Sequence, residues 1–210
     1  DLVAIGALGG KRSRRALLDS VGMRIVERAQ GSVLLIKGNR PGLSRLLICS
    51  SGTELGQPAV WAGASLACGA GAQATVLHVV HALPAMYTGL EQMEETLAEM
   101  LQSDSDRARE LRWAARVVRD ECEISELKLR RGIAVDEMLK EGREGDYDLI
   151  VLGSSRSAIG LVRVLLGDLT RDVASRAERP VLIVRPSNGA GETLGPAGPE
   201  AIEPNKTAGA

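Results

Sequence analysis

The chain has 210 residues, of which 44% are hydrophobic and 25% charged, the composition of an ordinary globular protein. A formal net charge of −1 excludes a broadly basic surface for nucleic acid, and an aromatic content of 2% excludes a base-stacking platform. The three cysteines stand far apart and form no CxxC pair. We therefore expect buried free thiols in a reducing cytoplasm rather than disulfides or a zinc site.

The chain opens with two apolar runs, Asp1–Gly6 and Val33–Lys37, that predict strands. A glycine-containing loop and an amphipathic helix connect them, and residues 37–45, with two glycines and a proline, predict a linker. Because the chain begins with Asp and enters an apolar run at once, we expect that something upstream has been removed or left out.

The following 140 or so residues alternate between strand and helix patterns. The predicted elements are, in chain order, a strand at 46–49, a turn at 50–53, a helix at 55–68, a strand at 74–80, a loop at 84–89, one long helix from 90 to about 119, a strand at 124–129, a helix at 135–144 and a strand from 148. Such alternation predicts βαβ units, and therefore a parallel sheet with helices on both faces.

Residues 55–90 contain no charged side chain, and the stretch is long enough to span a bilayer. It contains, however, glutamines, histidines, two prolines and the helix stop Gly69–Gly71. The sequence therefore predicts no membrane span here, but a buried helix followed by a buried strand.

Two parts of the chain repeat each other. The sequence DLVAIG at 1–6 returns as DLIVLG at 148–153, an offset of 147. RALL at 15–18 returns as RVLL, and VLLIK at 33–37 returns as VLIVR, both at an offset of 148. A strand–loop–helix–strand unit therefore occurs twice, with one residue inserted in the loop of the second copy.

This unit resembles the universal stress protein family, whose typical motif is G-x2-G-x9-G-[S/T]. The segments before the second copy are also similar to that family: a first strand ending in a small polar turn, a second strand with His78, and Gly132–Leu139 ahead of the fourth strand. The resemblance covers residues 43–186 as a complete domain and residues 1–39 as the C-terminal half of a truncated first domain. Residues 187–210, rich in Gly, Pro, Ala and Glu, predict a disordered tail.

The resemblance implies a doubly wound, open, parallel five-stranded sheet in the order 3-2-1-4-5, like that of the adenine nucleotide alpha hydrolases, plus an N-terminal β-α-β half-module. Tandem members of the family pair their two fifth strands back to back. We therefore expect Val33–Lys37 to lie antiparallel against Val181–Arg185, and self-association or a protein partner to use these fifth strands. The ligand would lie at the carboxyl ends of the strands, where the winding reverses.

The family's nucleotide motif is incomplete in the first copy. Gly6, Gly9 and Ser20 occupy motif positions, but Asp19 replaces the third glycine. This copy also lacks its front half and cannot build an adenine pocket by itself.

The motif is incomplete in the second copy as well. Gly153 and Gly167 are in place, but Arg156 replaces the second glycine and Asp168 replaces the Ser/Thr with which family members reach phosphate. A carboxylate about 4 Å from a phosphate charge costs roughly 1 to 4 kcal/mol, unless a cation such as Mg²⁺ bridges the two. The family's nucleotide binders also carry an Asp after the first strand, facing the base, where this chain has Ser51 in the turn Ser50–Thr53.

Three other groups of residues predict no site. His78 and His81 point to opposite faces of a strand and form no metal pair. Ser154 has no paired base for a hydrolase triad, since the chain contains two histidines only. Cys49 at a strand end predicts packing, because nothing adjacent would lower its pKa.

Three functions follow as expectations. The first is a non-catalytic cytoplasmic module of stress response or regulation, with a degenerate nucleotide cleft that binds ATP weakly or not at all. The second is a working binder of ATP or AMP with Mg²⁺, with slow ATPase activity, whose phosphates would be held by Gly153, Ser154, Arg156, Gly160 and Gly167. The third is a regulatory segment of a larger transporter or kinase chain.

Overall fold

The computed structural model describes residues 2–6, 22–38, 40–81, 96–122, 125–154 and 161–185, with side chains described from residue 169 onward in the last segment. A seven-stranded sheet has the order β1-β2-β7-β6-β3-β4-β5. The strands are β1 Leu2–Gly6, β2 Ser32–Ile36, β3 Arg45–Ser50, β4 Gln73–Val80, β5 Ser125–Arg131, β6 Leu149–Gly153 and β7 Val181–Val184. The helices are α1 at 22–28, α2 Gln57–Ala70, α3 Leu97–Gln102, α4 Asp106–Glu121, α5 Ala134–Glu144 and α6 Leu161–Arg176, with a 3-10 turn at Glu54–Gly56.

Within this sheet all neighbouring strands run parallel except β2 and β7. The predicted α/β fold with a mostly parallel sheet is therefore confirmed. The central strands are apolar without interruption because both faces of the sheet are covered. Alternate residues of β3 show this: Leu46 and Ile48 pack beneath α2 and α4, whereas Leu47 and Cys49 pack on the opposite side with α5 and α6.

The uncharged stretch forms α2 and β4. A Cβ atom on Gly63 would lie 2.6 Å from Cγ1 of Ile48, so the small residue lets α2 lie directly against β3. The helix ends at Gly71, which has a left-handed φ of +62°. None of the helices in the described ranges has both the length and the apolarity to cross a membrane.

The single long helix predicted from residue 90 to about 119 is wrong. The structure has two helices, α3 and α4, separated by Ser103–Ser105, while residues 90–95 lie outside the described residues. The Ser105 hydroxyl accepts a hydrogen bond from the backbone N–H of Ala108 at 3.2 Å and begins α4. Thr96 and Glu99 form a capping box that begins α3. Short polar side chains compete for backbone N–H groups, which favours a new helix start over continuation.

The antiparallel pairing expected between the two fifth strands is present. Val33 pairs with Ile183, Leu34 with Leu182, and Leu35 with Val181. At the repeat offset of 148, Leu34 corresponds to Leu182, so the two strands meet about a local two-fold axis at this pair. The edge of β7, where we expect self-association or a protein partner, is thus covered from within the chain.

The side chains of Lys37 and Arg185 are related by the same local two-fold axis. Lys37, after β2, donates hydrogen bonds to carbonyl groups at the end of α6, and Arg185, after β7, donates to carbonyl groups at the end of α1. The acceptors are Ala174, Ser175 and Ala177 for Lys37, and Val26 and Ala29 for Arg185. Ala174 and Ala177 correspond to Val26 and Ala29 at the offset of 148. Each cation thereby satisfies the last carbonyls and the dipole of the opposite helix.

Candidate functional site

The winding of the sheet reverses between β3 and β6. These strands are parallel neighbours, but β3 leads into α2 on one face, whereas β6 leads into α6 on the other. In open α/β sheets, the carboxyl ends of the strands at such a switch point form the usual ligand crevice. We call it the switch-point crevice, formed by residues 50–56 and 153–154.

The structure brings three of the predicted site residues to this crevice: Ser51, Gly153 and Ser154. Gly153 ends β6, where an added Cβ atom would lie 3.9 Å from Cα of Gly56. A Cβ atom on Gly56 would in turn lie 2.8 Å from the Ser51 hydroxyl, so Ser51 and Gly153 flank the same glycine. Ser154 follows, with its backbone N–H donating to the carbonyl of Val184 at 2.9 Å.

The predicted residues of the first copy lie elsewhere. Gly6 ends β1, which β2 and β7 separate from β6. Because β2 and β7 are antiparallel, the carboxyl ends of β1 and β6 lie at opposite edges of the sheet, so Gly6 does not join Gly153.

The remaining predicted residues have no described side chain. Gly9, Ser20, Arg156 and Gly160 lie outside the described residues. Gly167 and Asp168 belong to α6, in its part described as backbone only.

The turn after β3 is closed by its own hydroxyl groups. The Ser50 hydroxyl is buried and accepts from the backbone N–H of Gly52 at 3.2 Å. The Ser51 hydroxyl lies 2.9 Å from Oγ1 of Thr53. Gly52 has a φ of +68°, and a Cβ atom there would lie 2.8 Å from Cε1 of His78, so both its conformation and the space require glycine. The turn Ser50–Thr53 therefore presents hydroxyl groups and no carboxylate of its own, and the exposed Glu54 follows it.

His78 supports this turn from below. It is buried in β4, and its Nδ1 donates to the carbonyl of Ser50 at 3.0 Å. Burial lowers the pKa of His78, the hydrogen bond to Ser50 raises it, and the nearby Arg107 cation lowers it, with a lowered pKa as the net result. His81 is exposed at the end of the same strand. In the part of the chain that the structure describes, no three metal-ligating side chains come together.

We expect acid to destabilise the protein through His78 as the pH falls below about 6.5. The folded state holds the pKa of His78 below its unfolded value of about 6.5, so the unfolded chain takes up the proton first. The stability that neutral His78 contributes is complete above about pH 6.5 and is lost as pH falls towards the folded pKa, by at most about 1.4 kcal/mol per pH unit. Urea unfolding across this range measures the slope. His78→Gln should flatten it and His81→Gln should preserve it; an unchanged slope in His78→Gln would contradict the assignment.

A charged cluster around the buried Glu141 lies away from the crevice, on the side of α5, and sequence reasoning did not predict it. The Glu141 carboxylate accepts from Lys128 Nζ at 3.0 Å, from Arg130 Nε at 2.5 Å and from the Tyr147 hydroxyl at 3.1 Å. Lys128 and Arg130 stand two residues apart in β5, a spacing that places both side chains on one face of the strand.

Burial raises the pKa of Cys49, and so does the Glu141 charge, which agrees with the predicted packing role of this thiol.

Comparisons with known proteins support the same fold. A model of the universal stress protein family matches residues 42–185. A universal stress protein solved in complex with cAMP is 19% identical, with a TM-score of 0.52, covering 67% of this chain and 96% of that one. The universal stress protein UspA from Lactobacillus plantarum is 21% identical, with a TM-score of 0.55, covering 70% of this chain and all of its own.

A longer structure matches more of the chain. A universal stress protein from Archaeoglobus fulgidus is 16% identical, with a TM-score of 0.59, and the match covers 89% of this chain and 61% of that one. None of the curated proteins compared with the chain is a significant match. At these identities the solved structures establish the fold.

Proposed function

Since the chain belongs to the universal stress protein family over residues 42–185, we propose that it is a non-catalytic module of stress response or regulation, acting in the cytoplasm, whose nucleotide cleft binds weakly or not at all. The observation that carries this proposal is the turn after β3. Its hydroxyl groups bond within the turn, and its residues include no carboxylate.

The family resemblance implies that the adenine base would lie against the turn after β3. The residues of this turn do not fit the base as those of the family's nucleotide binders do. Nucleotide binders of the family place an Asp here, facing the base, whereas this chain has Ser51, whose hydroxyl lies 2.9 Å from Thr53 Oγ1. Loss of a charged hydrogen bond corresponds to about 1.5–3 kcal/mol, or roughly 10- to 100-fold in affinity. No catalytic step is assigned to this crevice.

The side of the crevice where the nucleotide phosphates would lie weakens nucleotide binding for a second reason. Asp168 stands in α6 where the family motif has Ser or Thr. A carboxylate near phosphate repels it by roughly 1 to 4 kcal/mol at about 4 Å, although a bridging Mg²⁺ would reverse the sign. Both ends of the cleft therefore act against tight binding.

Equilibrium dialysis with labelled ATP and Mg²⁺ tests this proposal. We expect no binding in the low-micromolar range for the wild-type chain, and low-micromolar binding would overturn the proposal. If the cleft has decayed from a working one, Ser51→Asp with Asp168→Ser should raise affinity at least roughly 10-fold, the value of one charged hydrogen bond. The matched control is Ser51→Asn with Asp168→Ser, which keeps the size at position 51 but lacks the charge and should gain less.

A second candidate is a working binder of adenine nucleotides, ATP or AMP with Mg²⁺. Two observations favour it: Gly153 lies at the switch point beside Gly56, and a family member has been solved with cAMP. Phosphates would then lie against the loop from Gly153 to Gly160, with Ser154, Arg156 and Gly167 contributing. Dialysis of AMP and cAMP beside ATP separates the candidates, because tight binding of any of them favours this one.

We also propose that residues 43–186 form a complete domain in the strand order 3-2-1-4-5, and that residues 1–39 are the second half of a truncated first domain. The neighbour order β5-β4-β3-β6-β7, the local two-fold axis at Leu34 and Leu182, and the reciprocal bonds of Lys37 and Arg185 support this. The match to the Archaeoglobus protein supports it too, since it covers 89% of the chain instead of 67% or 70%.

A regulatory segment of a larger transporter or kinase chain remains the third candidate. The reading frame of the gene tests it, because a coding sequence that continues upstream of Asp1 with transporter or kinase domains would establish it. Residues 187–210 stay a predicted disordered tail; they lie outside the described residues.

A further inference from the structure

Two of the three cysteines meet in the fold although 54 positions separate them in the sequence. Cys68 lies in the last turns of α2, and Cys122 directly follows α4, which packs against α2. The Cys122 thiol donates to the carbonyl of Ala64 at 3.6 Å. In an α-helix that carbonyl also accepts the N–H of the residue four positions later, which is Cys68. The sulfur of Cys122 therefore lies beside the helical turn that carries Cys68.

The electrostatics of Cys122 agree with this proximity. Burial raises the pKa of the Cys122 thiol, the neighbouring Cys68 and Glu121 raise it further, and a hydrogen bond from the Cys68 backbone lowers it. Two of these four causes come from Cys68. The two thiols differ in access: Cys122 is buried, whereas Cys68 is exposed, so the expectation of buried thiols is wrong for Cys68.

We propose that Cys68 and Cys122 are a redox modification site that forms a reversible intramolecular disulfide with a glutathione-type disulfide oxidant. A disulfide requires Cβ atoms about 4 Å apart, and Cys122 already contacts the turn that bears Cys68. The bond then forms by side-chain rotation at the exposed residue. In reducing compartments such bonds are transient and serve redox sensing.

The reaction proceeds by two exchanges. The exposed Cys68 thiolate attacks one sulfur of oxidised glutathione, forming a mixed disulfide and releasing one glutathione thiolate, which takes up the Cys68 proton. The Cys122 thiolate then attacks the Cys68 sulfur, and a second glutathione leaves with the Cys122 proton. The two protein thiols lose two electrons in total, and one oxidised glutathione becomes two reduced molecules.

Cys49 is the internal control for this site. It is buried and packs on the opposite face of the sheet from Cys122, so it lies within reach of neither Cys122 nor Cys68. Neither access nor position allows it to replace Cys68 or Cys122.

The bond would tie the end of α2 to the end of α4 and close the loop from residue 68 to residue 122. A loop of this length restricts the unfolded chain, so oxidation should raise the Tm by about 5–10 °C. The other end of α2 begins beside the switch-point crevice, at Gly56 and Gln57. Oxidation would therefore stiffen one wall of the crevice.

The experiment uses the full chain with oxidised glutathione, followed by alkylation of free thiols and mass spectrometry of the intact protein and its peptides. We expect a monomer that has lost two hydrogen atoms and carries a peptide link between Cys68 and Cys122, reversed by dithiothreitol. Cys49→Ala should keep the link, and Cys68→Ser should abolish it. Three results would overturn the proposal: unmodified thiols throughout, a glutathione adduct that persists on Cys68, or a link between two chains.

Discussion

Replacing Glu141 by glutamine should lower the free energy of unfolding by about 2–3 kcal/mol. The Glu141 side chain is 4% exposed and is the common acceptor of Lys128, Arg130 and the Tyr147 hydroxyl. Glutamine keeps the shape but removes the charge, leaving both cations without their shared partner. Loss of one partner of a fully buried pair costs about 3–5 kcal/mol, and the smaller value is expected because water still reaches the two cations.

The same carboxylate has a defined pH dependence. Burial raises the pKa of Glu141. Hydrogen bonds and charge from Lys128 and Arg130 lower it by more than burial raises it, so the net shift is downward. A carboxylate with a lowered folded pKa contributes its stability above the unfolded pKa of about 4.3 and loses it as pH falls through the folded value. The Glu141→Gln variant should therefore lose less stability than the wild type below about pH 4.

Glu144→Gln is the matched control. Glu144 pairs with the same Arg130, at 2.6 Å, but its side chain is 53% exposed. An exposed ion pair contributes about 0–1 kcal/mol, so this variant should be nearly as stable as the wild type. Denaturant unfolding of both variants measures the difference, and equal losses would show that burial of Glu141 is not the cause.

Removal of residues 1–39 should turn a monomer into a dimer or an aggregate. The cut takes away β1 and β2, and with them the strand that pairs with Val181–Ile183 of β7. A free, apolar strand edge pairs with another strand, and the symmetry of the present pairing means that β7 of a second chain offers similar geometry. Arg40 remains, so its bonds to Asp146 and Asp148 are kept.

Light scattering after size exclusion, over a range of concentrations, measures this change. The control is Lys37→Ala in the full chain, which removes the cation at the end of α6 but keeps β2 in place, and which should stay monomeric. An unchanged monomer after the deletion would count against the edge-covering role of residues 1–39.

The strands were the most predictable part of the fold. Leu46–Cys49 and the run after Asp148 are apolar at every position because they lie in the middle of the sheet. Such continuous apolar runs predict strands that are buried on both faces. The family resemblance, carried in part by the repeat of VLLIK as VLIVR, implied the antiparallel β2–β7 pairing, which the structure contains. The break between α3 and α4 was missed because Leu97 and Leu101, both in α3, keep helical spacing up to it, whereas the Ser105 cap acts locally.

The sequence predicted which residues lie at the strand ends of the candidate site, but not which of them come together. Sequence motifs placed Ser51 and Gly153 at strand ends, and sheet order then brought them together at Gly56. Gly6 occupies the matching motif position of the first copy, and the antiparallel pairing of β2 and β7 places it at the opposite edge of the sheet from Gly153. The approach of Cys68 to Cys122 depends on helix packing over a long sequence separation, so no local pattern records it.

The symmetric pairing of β2 with β7 provides the geometry for domain swapping, in which two chains exchange an identical segment. The described parts of residues 2–36 contact the remainder of the chain through the β2–β7 pairing, the reciprocal cation bonds, the ion pair of Glu27 with Arg171 and the packing of Val26, Val33 and Leu35 in the core, and a short connector at 37–44 joins them to β3. Two chains at high concentration could exchange these segments and regain every contact, without any new interface. The resulting intertwined dimer would differ from the monomer in the path of the connector alone.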